Sequence, residues 1–347
     1  MSNITIEFIA GHLGLSKFAV SRALSGKTGV SDSTRALVLE TAAGLGYTSK
    51  PRTKRNTSGS IEILFHDLEV AHRGLWMDVQ TGAQSEGARL GVTTAVRWTD
   101  DPEIFARLKQ TTTGFILIGP HEPEMIAAVR ETGLPCVKVG PLYHRLEPID
   151  QIGQADREAA GLVAEHLLGL GHRTFVYAHG KAGYSGRIER LQSFANVINA
   201  TPQTALREMA FPEDDKPTNF RELIQGMVKE KFLPTAFFCG NDGVAVTVVS
   251  ELMRIGVKIP EDVSVVGYAD YPIATQIAPR LTTVRSPHRE MGVAAVRVLL
   301  SRCGRYGPMN DLPPFRLSLA GQLVIRESCG PASIGAKLVD RVLDPAQ

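Results

Sequence analysis

The stretch GLSKFAVSRALSG, residues 14–26, decides how the first part of the chain folds. Gly14 ends a preceding helix, because glycine readily takes the left-handed conformation of a tight turn. Ser16 then caps a second helix. The apolar residues of that helix turn inward, namely Val20, Ala23 and Leu24. Its other side presents Lys17, Phe18, Ser21 and Arg22, which an ordinary packed helix would not need there.

Two further helices are expected around this stretch. Thr5 caps the first, whose apolar residues follow helical spacing at Ile6, Ile9, Ala10 and Leu13. Ser31 caps the third, with Thr34 in its first turn. Its expected packing residues are Ala36, Leu39, Ala43 and Leu45, and Tyr47 closes the unit. Helix, short glycine turn and capped helix form the helix-turn-helix pattern.

Basic side chains are concentrated in the same region. Residues 1–56 hold eight lysines and arginines against three acidic residues, whereas the whole chain has a net charge of +2. A basic head on a mildly acidic body is expected when only the head meets a polyanion. Charge alone leaves a solvated positive surface as an equal alternative.

Length and composition limit the class of protein. A chain of 347 residues exceeds one small core, so two or three domains are expected. No run approaches about 18 apolar residues, and MSNITIEFIAGH lacks the features of a secretory signal. The four cysteines lie far apart, which predicts reduced thiols in a cytoplasmic protein, with neither a disulfide frame nor a metal site.

The rest of the chain alternates strand-like and helical stretches. The strand-like runs are residues 61–65, 91–96, 114–119, 135–140, 174–180, 235–240 and 263–270. Short apolar runs separated by helices imply parallel sheets covered by helices. This part is too long for one comfortable core, so it is expected to form two lobes.

The head resembles the LacI/GalR family of transcriptional regulators. The resemblance lies in Thr5, residues 14–26, VSDSTR at 30–35 and LGY at 45–47. It implies that the second helix enters the DNA major groove. Arg22 is then expected to bind guanine O6 and N7, and Phe18 to contact a thymine methyl group. Lys17 is expected to reach a base or a phosphate. The remaining hydroxyls are expected to contact phosphates, namely Ser16, Ser21, Ser31 and Thr34. A core position remains the alternative for Phe18.

The linker departs from the family pattern. The family carries a short helix with a leucine that opens the central base step, and residues 48–60 contain Pro51 but no leucine. What remains is a basic tether that would contact phosphates through Lys50, Arg52, Lys54 and Arg55. We therefore expect weaker bending of the operator than the family produces.

The body continues the resemblance in HLLGLGHRTFVY (166–177), PTAFFCGND (234–242), IGVKIPEDVSVVGYAD (255–270) and PRLTTVRSP (279–287). It implies a periplasmic-binding-protein-like body of two Rossmann-like lobes with a ligand in the cleft. The matching effector-binding positions are Arg190, Asn241, Asp156 and Asp270. Candidates in the first lobe are His72, Arg73 and Trp76, where Trp76 stacks on a sugar or is simply core. Asp242 is expected to be structural.

One position departs from the family's ligand site. The family commonly has an aspartate where this chain has Ala269. A buried arginine needs a partner, so loss of that carboxylate raises the hypothesis that Arg190 meets an anionic ligand in place of a neutral sugar.

The chain is therefore interpreted as an α/β protein with an all-α helix-turn-helix head. The expected segments are the head (1–49), a basic linker (50–60), a two-lobed effector-binding and dimerisation domain (61–330) and a C-terminal tail (331–347). The expected function is a repressor that binds a near-palindromic operator as a homodimer, controlled by a carbohydrate-related effector, with no membrane partner and no cofactor. The tail is too short for a coiled coil, so no tetramer is expected.

Two alternatives belong to other classes. A sugar-binding protein without a role on DNA would not need residues 1–55. A sugar-processing enzyme would need a catalytic constellation, and the sequence offers none: the glycine-rich segments lack the spacing or the strand context of phosphate-binding loops. His172, in the LGH turn, is expected to be a hydrogen-bonding spacer and no catalyst.

Overall fold

The structure is a computed structural model that describes residues 5–24, 29–45, 47, 59–66, 74–142, 147–180, 185–211, 220–304 and 312–333. The chain divides into two compact units, Met1–Thr57 and Ser58–Gln347, which we call the head and the body. The basic linker residues Lys50, Arg52, Lys54 and Arg55 and most of the tail lie outside the described residues.

The head consists, among its described residues, of helices α1 (Ile6–Leu13), α2 (Lys17–Leu24) and α3 (Asp32–Gly44). Gly14 has a φ of 66° and accordingly ends α1 in the left-handed conformation. Six small or branched side chains form the core of the head: Ile9, Ala10, Val20, Ala23, Val38 and Ala42. Tyr47 packs against this core, as expected.

The packing face expected for α3 is wrong. Ala36, Leu39 and Ala43 are exposed, and α3 instead buries Val38 and Ala42 with Leu45 packed beside them. The true face is displaced by one residue, and Leu39 is 48% exposed. Leucine at position 39 suggested the wrong phase because hydrophobicity alone does not specify which side of a helix meets its neighbours.

The strands of the body, in chain order, are β1 (Ser60–Phe65), β2 (Thr94–Trp98), β3 (Thr112–Ile118), β4 (Cys136–Val139), β5 (Asp150–Gln154), β6 (Thr174–His179), β7 (Ala205–Ala210), β8 (Ala236–Cys239), β9 (Ser264–Val266), β10 (Thr283–Arg285), β11 (Arg316–Leu319) and β12 (Gln322–Val324). Each run predicted from the sequence contains or overlaps one of them. Strands β5, β7, β10, β11 and β12 were not predicted.

The helices of the body, in chain order, are α4 (Gly74–Arg89), α5 (Ile104–Leu108), α6 (Pro123–Glu131), α7 (Asp156–Gly169), α8 (Ser185–Asn199), α9 (Phe220–Lys229), α10 (Asp242–Arg254), α11 (Ile273–Gln276) and α12 (His288–Arg302). Across the described residues, no helix is long and apolar enough to cross a membrane.

Two parallel sheets define two lobes, which confirms the expected fold class. Within the described residues, the first lobe contains the sheet β11-β5-β4-β3-β1-β2 and the second contains the sheet β7-β6-β8-β9. Each sheet has its own cores, built around residues such as Ile63 and Ile116 in the first lobe and Phe237 and Val265 in the second. Strands β10 and β12 form a small antiparallel pair.

The chain passes between the lobes three times within the described residues. The first crossover, residues 154–156, joins β5 to α7; the second, 285–288, joins β10 to α12; and the third, 319–322, joins β11 to β12. The second crossover returns the chain to the first lobe, where α12 packs closely on α4. A methyl group added at Gly82 or Gly292 would overlap the backbone of the facing helix. Glycine is therefore required for this close approach.

Candidate functional site

The outward side of α2 is an exposed, mixed basic and aromatic surface. Lys17, Phe18 and Ser21 are exposed, and Phe18 reaches 68%, which excludes the alternative that Phe18 is a core residue. Arg22 is half-buried, and its guanidinium carbon lies 5.1 Å from the centre of the Phe18 ring. The four-residue spacing brings these two side chains together on one face of the helix. The contact orients the guanidinium beside an exposed aromatic ring.

The hydroxyl residues of the head begin its helices. Thr5 Oγ1 accepts a hydrogen bond from the amide of Phe8 at 3.2 Å, and Ser16 Oγ accepts from the amide of Ala19 at 3.1 Å. Ser31 Oγ accepts from the amide of Thr34 at 3.2 Å and lies 2.7 Å from Thr34 Oγ1. These bonds satisfy amides that a helix leaves unpaired at its start. The hydroxyls keep their exposed positions at the surface of the head.

A second candidate site is a cavity of about 440 Å³ between the two lobes of the body. Four of the predicted effector residues line it: Trp76, Asp156, Arg190 and Asn241. Trp76 is 7% exposed and belongs to the core of the first lobe, which confirms the core interpretation, whereas stacking on a sugar stays a prediction. His72 and Arg73 lie outside the described residues.

Arg190 and Asp156 form the polar centre of the cavity. Arg190, on α8, donates through Nη1 to Asp156 Oδ1 at 2.6 Å and through Nη2 to the carbonyl of Gly240 at 3.0 Å. Both side chains are almost fully buried. The hypothesis that Arg190 needs an anionic ligand is therefore wrong in its premise, because Asp156 already supplies the opposite charge. The Nε of Arg190 is buried and meets no hydrogen-bond acceptor in the part of the chain that the structure describes.

Tyr268 completes this centre from the loop after β9. Its hydroxyl donates to Asp156 Oδ1 at 2.7 Å and accepts from Gln154 Nε2, and its ring lies 4.0 Å below the Arg190 guanidinium. Burial raises the pKa of Tyr268 well above its usual value, so the hydroxyl remains a donor. Residues from both lobes are thus joined through one carboxylate.

Asn241 and Asp242 fix the floor of the cavity in different ways. Asn241 lines it and caps α10, because its Oδ1 accepts from the amide of Val244 at 2.8 Å. Asp242 is fully buried behind the cavity, where it accepts from Thr283 Oγ1 at 2.6 Å and from the amide of Tyr271 at 2.7 Å. Burial raises the pKa of Asp242 to about 6 despite these bonds. Its contacts are those of a structural residue.

Asp270 does not line the cavity, although the resemblance assigned it to effector binding. Its Oδ2 accepts from Arg285 Nε at 2.8 Å, and its Oδ1 accepts from Arg326 Nη2 at 2.5 Å. The side chain turns away from the cavity because Ala269 and Asp270 both have a positive φ, 111° and 58°. Ala269 itself lines the cavity without a carboxylate.

The polar cavity residues that were not predicted include Arg187, Ser286 and His288. Ser286 lines the cavity, and its buried Oγ has no hydrogen-bond partner among the described residues. Burial, reinforced by the charge of Arg190, lowers the pKa of His288 to about 4, so its imidazole is neutral at pH 7. Ser286 and His288 lie on the second crossover, and no local sequence pattern announces that this segment faces a cavity.

The arrangement suits binding of a small molecule. Unpartnered polar atoms of Arg190 and Ser286 stand among apolar and aromatic surfaces from Trp76, Tyr268 and Met291. Across the described part of the chain, no group of three or more histidine, cysteine or acidic side chains is placed to hold a metal ion. His172, in contrast, is buried away from the cavity and bonds Thr235 and Ser264, as expected for a spacer.

Fold and sites together define a class: a three-helix head with an exposed helix face, joined to a two-lobed binding body. The family described as a periplasmic binding protein-like domain matches residues 164–329. The HTH-type transcriptional regulator reg1 of Streptomyces lividans is 28% identical over 93% of this chain and 96% of its own length.

Two solved structures share the fold over nearly the whole chain. The lac repressor dimer bound to operator and the anti-inducer ONPF is 23% identical, covers 95% of this chain and 100% of its own, and has a TM-score of 0.64. A complex of the transcriptional regulator CelR with cellobiose is 22% identical, covers 94% and 99%, and has a TM-score of 0.63. The chain is thus similar over nearly its whole length to an HTH-type transcriptional regulator, and it shares the fold of the lac repressor.

Proposed function

We propose that this chain is a homodimeric repressor that reads a near-palindromic DNA operator through α2, and that a small molecule in the cavity between the lobes controls its affinity for the operator. The observation that carries the proposal is the exposed face of α2. Lys17 and Phe18 stand out from a head whose core is complete without them. A helix with an exposed lysine, an aromatic side chain and a stacked arginine fits the width of the major groove.

Each residue of α2 has a distinct proposed role. Arg22 donates both arms of its guanidinium to a guanine, and the Phe18 ring orients it while contacting a thymine methyl. Lys17 is paired with Glu7 of α1 in the free protein and exchanges this exposed ion pair for a base or phosphate. Ser16, Ser21, Ser31, Thr34 and Thr5, with the basic linker residues, contact the backbone and set the register.

A dimer is proposed because of how a recognition helix binds DNA. One recognition helix covers one half-site, so two heads on a twofold axis bind a near-palindrome. The lac repressor that shares this fold is a dimer on its operator, which supports the same assembly here. Repression is proposed because that relative is a repressor.

The effector is proposed to be an uncharged, carbohydrate-related molecule. The ion pair between Arg190 and Asp156 balances its own charge, so an anion would gain little there. Hydroxyl groups suit the free Nε of Arg190 and the free Oγ of Ser286. The apolar face of a sugar ring suits Trp76. The related CelR structure holds cellobiose in the same fold.

DNA recognition is tested by selecting duplexes from a random library with the full chain and measuring affinity over a salt series. We expect a near-palindrome whose binding weakens steeply with salt. Arg22→Ala is expected to lose about 1–3 kcal/mol of discrimination at one base position per half-site. Arg130→Ala, which removes an exposed arginine on α6 of the body, is the control and should select the wild-type sequence. An unchanged selected sequence with Arg22→Ala contradicts the proposal.

The effector class is tested by thermal unfolding with cellobiose, maltose, ribose, gluconate and glucose 6-phosphate. A ligand at one hundred times its Kd stabilises the body by about 2.7 kcal/mol. We expect the neutral sugars to raise Tm and the two anions to have no effect. Stabilisation by gluconate or glucose 6-phosphate alone would overturn the assignment of an uncharged ligand.

A further inference from the structure

One loop of the second lobe contacts the first two crossovers between the lobes, and it also contacts Arg326, which follows the third crossover and β12. The loop comprises residues 267–272, between β9 and α11. Tyr268 donates to Asp156 in the first crossover. Asp270 accepts from Arg285, which begins the second crossover, and from Arg326, which follows β12 and the third. A single short segment therefore contacts two of the described passages between the lobes directly and the third through Arg326, which follows β12.

The backbone of this loop directs its side chains in opposite directions. Ala269 and Asp270 have φ values of 111° and 58°, which side chains other than glycine rarely adopt. Tyr268 and Ala269 consequently face the cavity, whereas the Asp270 side chain points to the two arginines. The amide of Ala269 donates to the carbonyl of Val284 at 2.8 Å, which ties the turn to β10.

The pairs made by Asp270 are well enclosed. Its side chain is 9% exposed and that of Arg326 is 14% exposed. Arg326 also donates through Nη1 to the carbonyl of Leu281 at 2.8 Å, and its amide donates to Thr282 Oγ1 at 2.9 Å. Arg326 is thus fixed to the two residues that lie directly before β10. Charge-assisted bonds of this length are stronger than neutral ones.

The same loop forms a wall of the cavity. Tyr268, Ala269, Tyr271 and Pro272 all line it. From behind, the amide of Tyr271 donates to Asp242, which is fixed in α10. A ligand that displaces the side chains of Tyr268 and Tyr271 therefore moves the loop. The Asp270 side chain of the same loop is paired with Arg285 and Arg326.

We propose that loop 267–272 couples the cavity to the angle between the lobes, and that Asp270 is its positioning residue. Asp270 contacts no ligand; it holds Arg285 and Arg326 so that the second and third crossovers keep one geometry. The consequence for the operator rests on the proposed function, since the lobe angle sets the spacing of the two heads only in a DNA-bound dimer.

The lobe angle can be measured without a ligand or DNA. Fluorophores on p-azidophenylalanine at position 124 in α6 and position 222 in α9 report the distance between the lobes by single-molecule energy transfer, in dimers with one labelled protomer. Glu124 and Glu222 are both exposed. We expect one narrow distribution for the wild type. Asp270→Asn is expected to broaden it at least twofold, because the amide keeps the shape of the carboxylate but loses its charge.

Two further variants make the result decisive. Arg285→Lys keeps a charge at a 56% exposed position, so it folds even where Asp270→Asn does not, and it is expected to broaden the distribution less. Glu327→Gln removes a neighbouring carboxylate that pairs with Arg280 outside the loop, and it should leave the distribution unchanged. Wild-type distributions in both Asp270→Asn and Arg285→Lys overturn the proposal.

Operator affinity provides the second readout. With the selected duplex, Asp270→Asn is expected to change Kd roughly fivefold or more, the lower end of typical coupling between sites. An altered lobe distribution with unchanged Kd overturns the coupling. If the wild type binds no duplex, the proposed function fails while the energy-transfer experiment still tests the loop.

Discussion

The head and the cavity are built in opposite ways. The described contacts that shape the head join residues between Thr5 and Tyr47, and each of its described helices begins at a nearby hydroxyl cap. The cavity draws on residues from Gly74 to Met291, in both lobes and in the crossovers between them. The head is therefore a local structure, whereas the cavity exists only when two sheets are correctly joined.

This difference predicts how far a substitution reaches. A change in the head should alter the stability of that unit and DNA binding alone. A change at the centre of the cavity should alter ligand binding, the stability of the body and the geometry between lobes together. The four experiments below test this contrast, beginning with the largest expected effect.

Arg190→Met should be the most damaging change. It leaves Asp156 buried without its cation, at a cost of about 3–5 kcal/mol. Unfolding in urea should show the loss in the body, and ligand binding should disappear. Adding Asp156→Asn to this variant should recover part of the stability because it removes the unpaired charge. A body as stable as the wild type in Arg190→Met would break the contrast.

Gly292→Ala tests the close packing of α12 on α4 inside the first lobe, at a distance from the polar centre. The added methyl group overlaps the carbonyl oxygen of Val79, so α12 must move from α4 at a cost of about 1–3 kcal/mol. Gly161→Ala, in α7, is the control because a methyl group there meets no neighbouring atom. The control should stabilise the helix by up to about 1 kcal/mol. Equal melting temperatures for the two variants would contradict the close packing.

Ser31→Ala tests the local character of the head. It removes the cap of α3 and should cost about 1 kcal/mol of the stability of the head, with no change in the body. Ser31→Asp should retain most of the stability, since a carboxylate also caps a helix. Proteolysis of the head, followed by mass spectrometry, measures the effect. A lowered melting temperature of the body would be inconsistent with an independent head.

The pH dependence of unfolding tests the body separately from the head, because His172 lies in the body. Burial lowers the pKa of His172 to about 4 from 6.5, so the unfolded chain binds the proton first as the pH falls. Wild-type stability should therefore fall between pH 6.5 and 4. In His172→Gln this fall should be shallower by up to about 1.4 kcal/mol per pH unit. Parallel stability curves for the two proteins would show that His172 does not titrate as inferred.

The sequence predicted most of what is local. The caps at Thr5, Ser16 and Ser31 and the exposed face of α2 follow from helical spacing and side-chain chemistry. It did not predict β5, whose residues DQIGQ are mostly polar. That strand is buried because Asp150 accepts two bonds from Arg302, each 2.7 Å long, and Arg302 lies 152 residues later. No pattern in the sequence near β5 indicates that Arg302 is the partner of Asp150.

Most of the cavity residues that were predicted came from the family resemblance, whereas Trp76 was predicted from its place after the first strand. That resemblance led to Arg190, Asp156 and Asn241, which do meet in the structure. It did not lead to Ser286 or His288, and it assigned Asp270 to the wrong surface. The direction of Asp270 depends on two positive φ angles in succession, which the residue types alanine and aspartate do not suggest.

The loop 267–272 has a consequence for how such a regulator diversifies. Under the proposed coupling, a variant that takes a new ligand by changing Tyr268 or Tyr271 also acquires an altered lobe geometry, because the same segment contacts the crossovers. The choice of ligand and the size of the response to that ligand then change together. Arg285, half exposed at the outer side of the Asp270 pair, is where compensating mutations can restore one trait without losing the other.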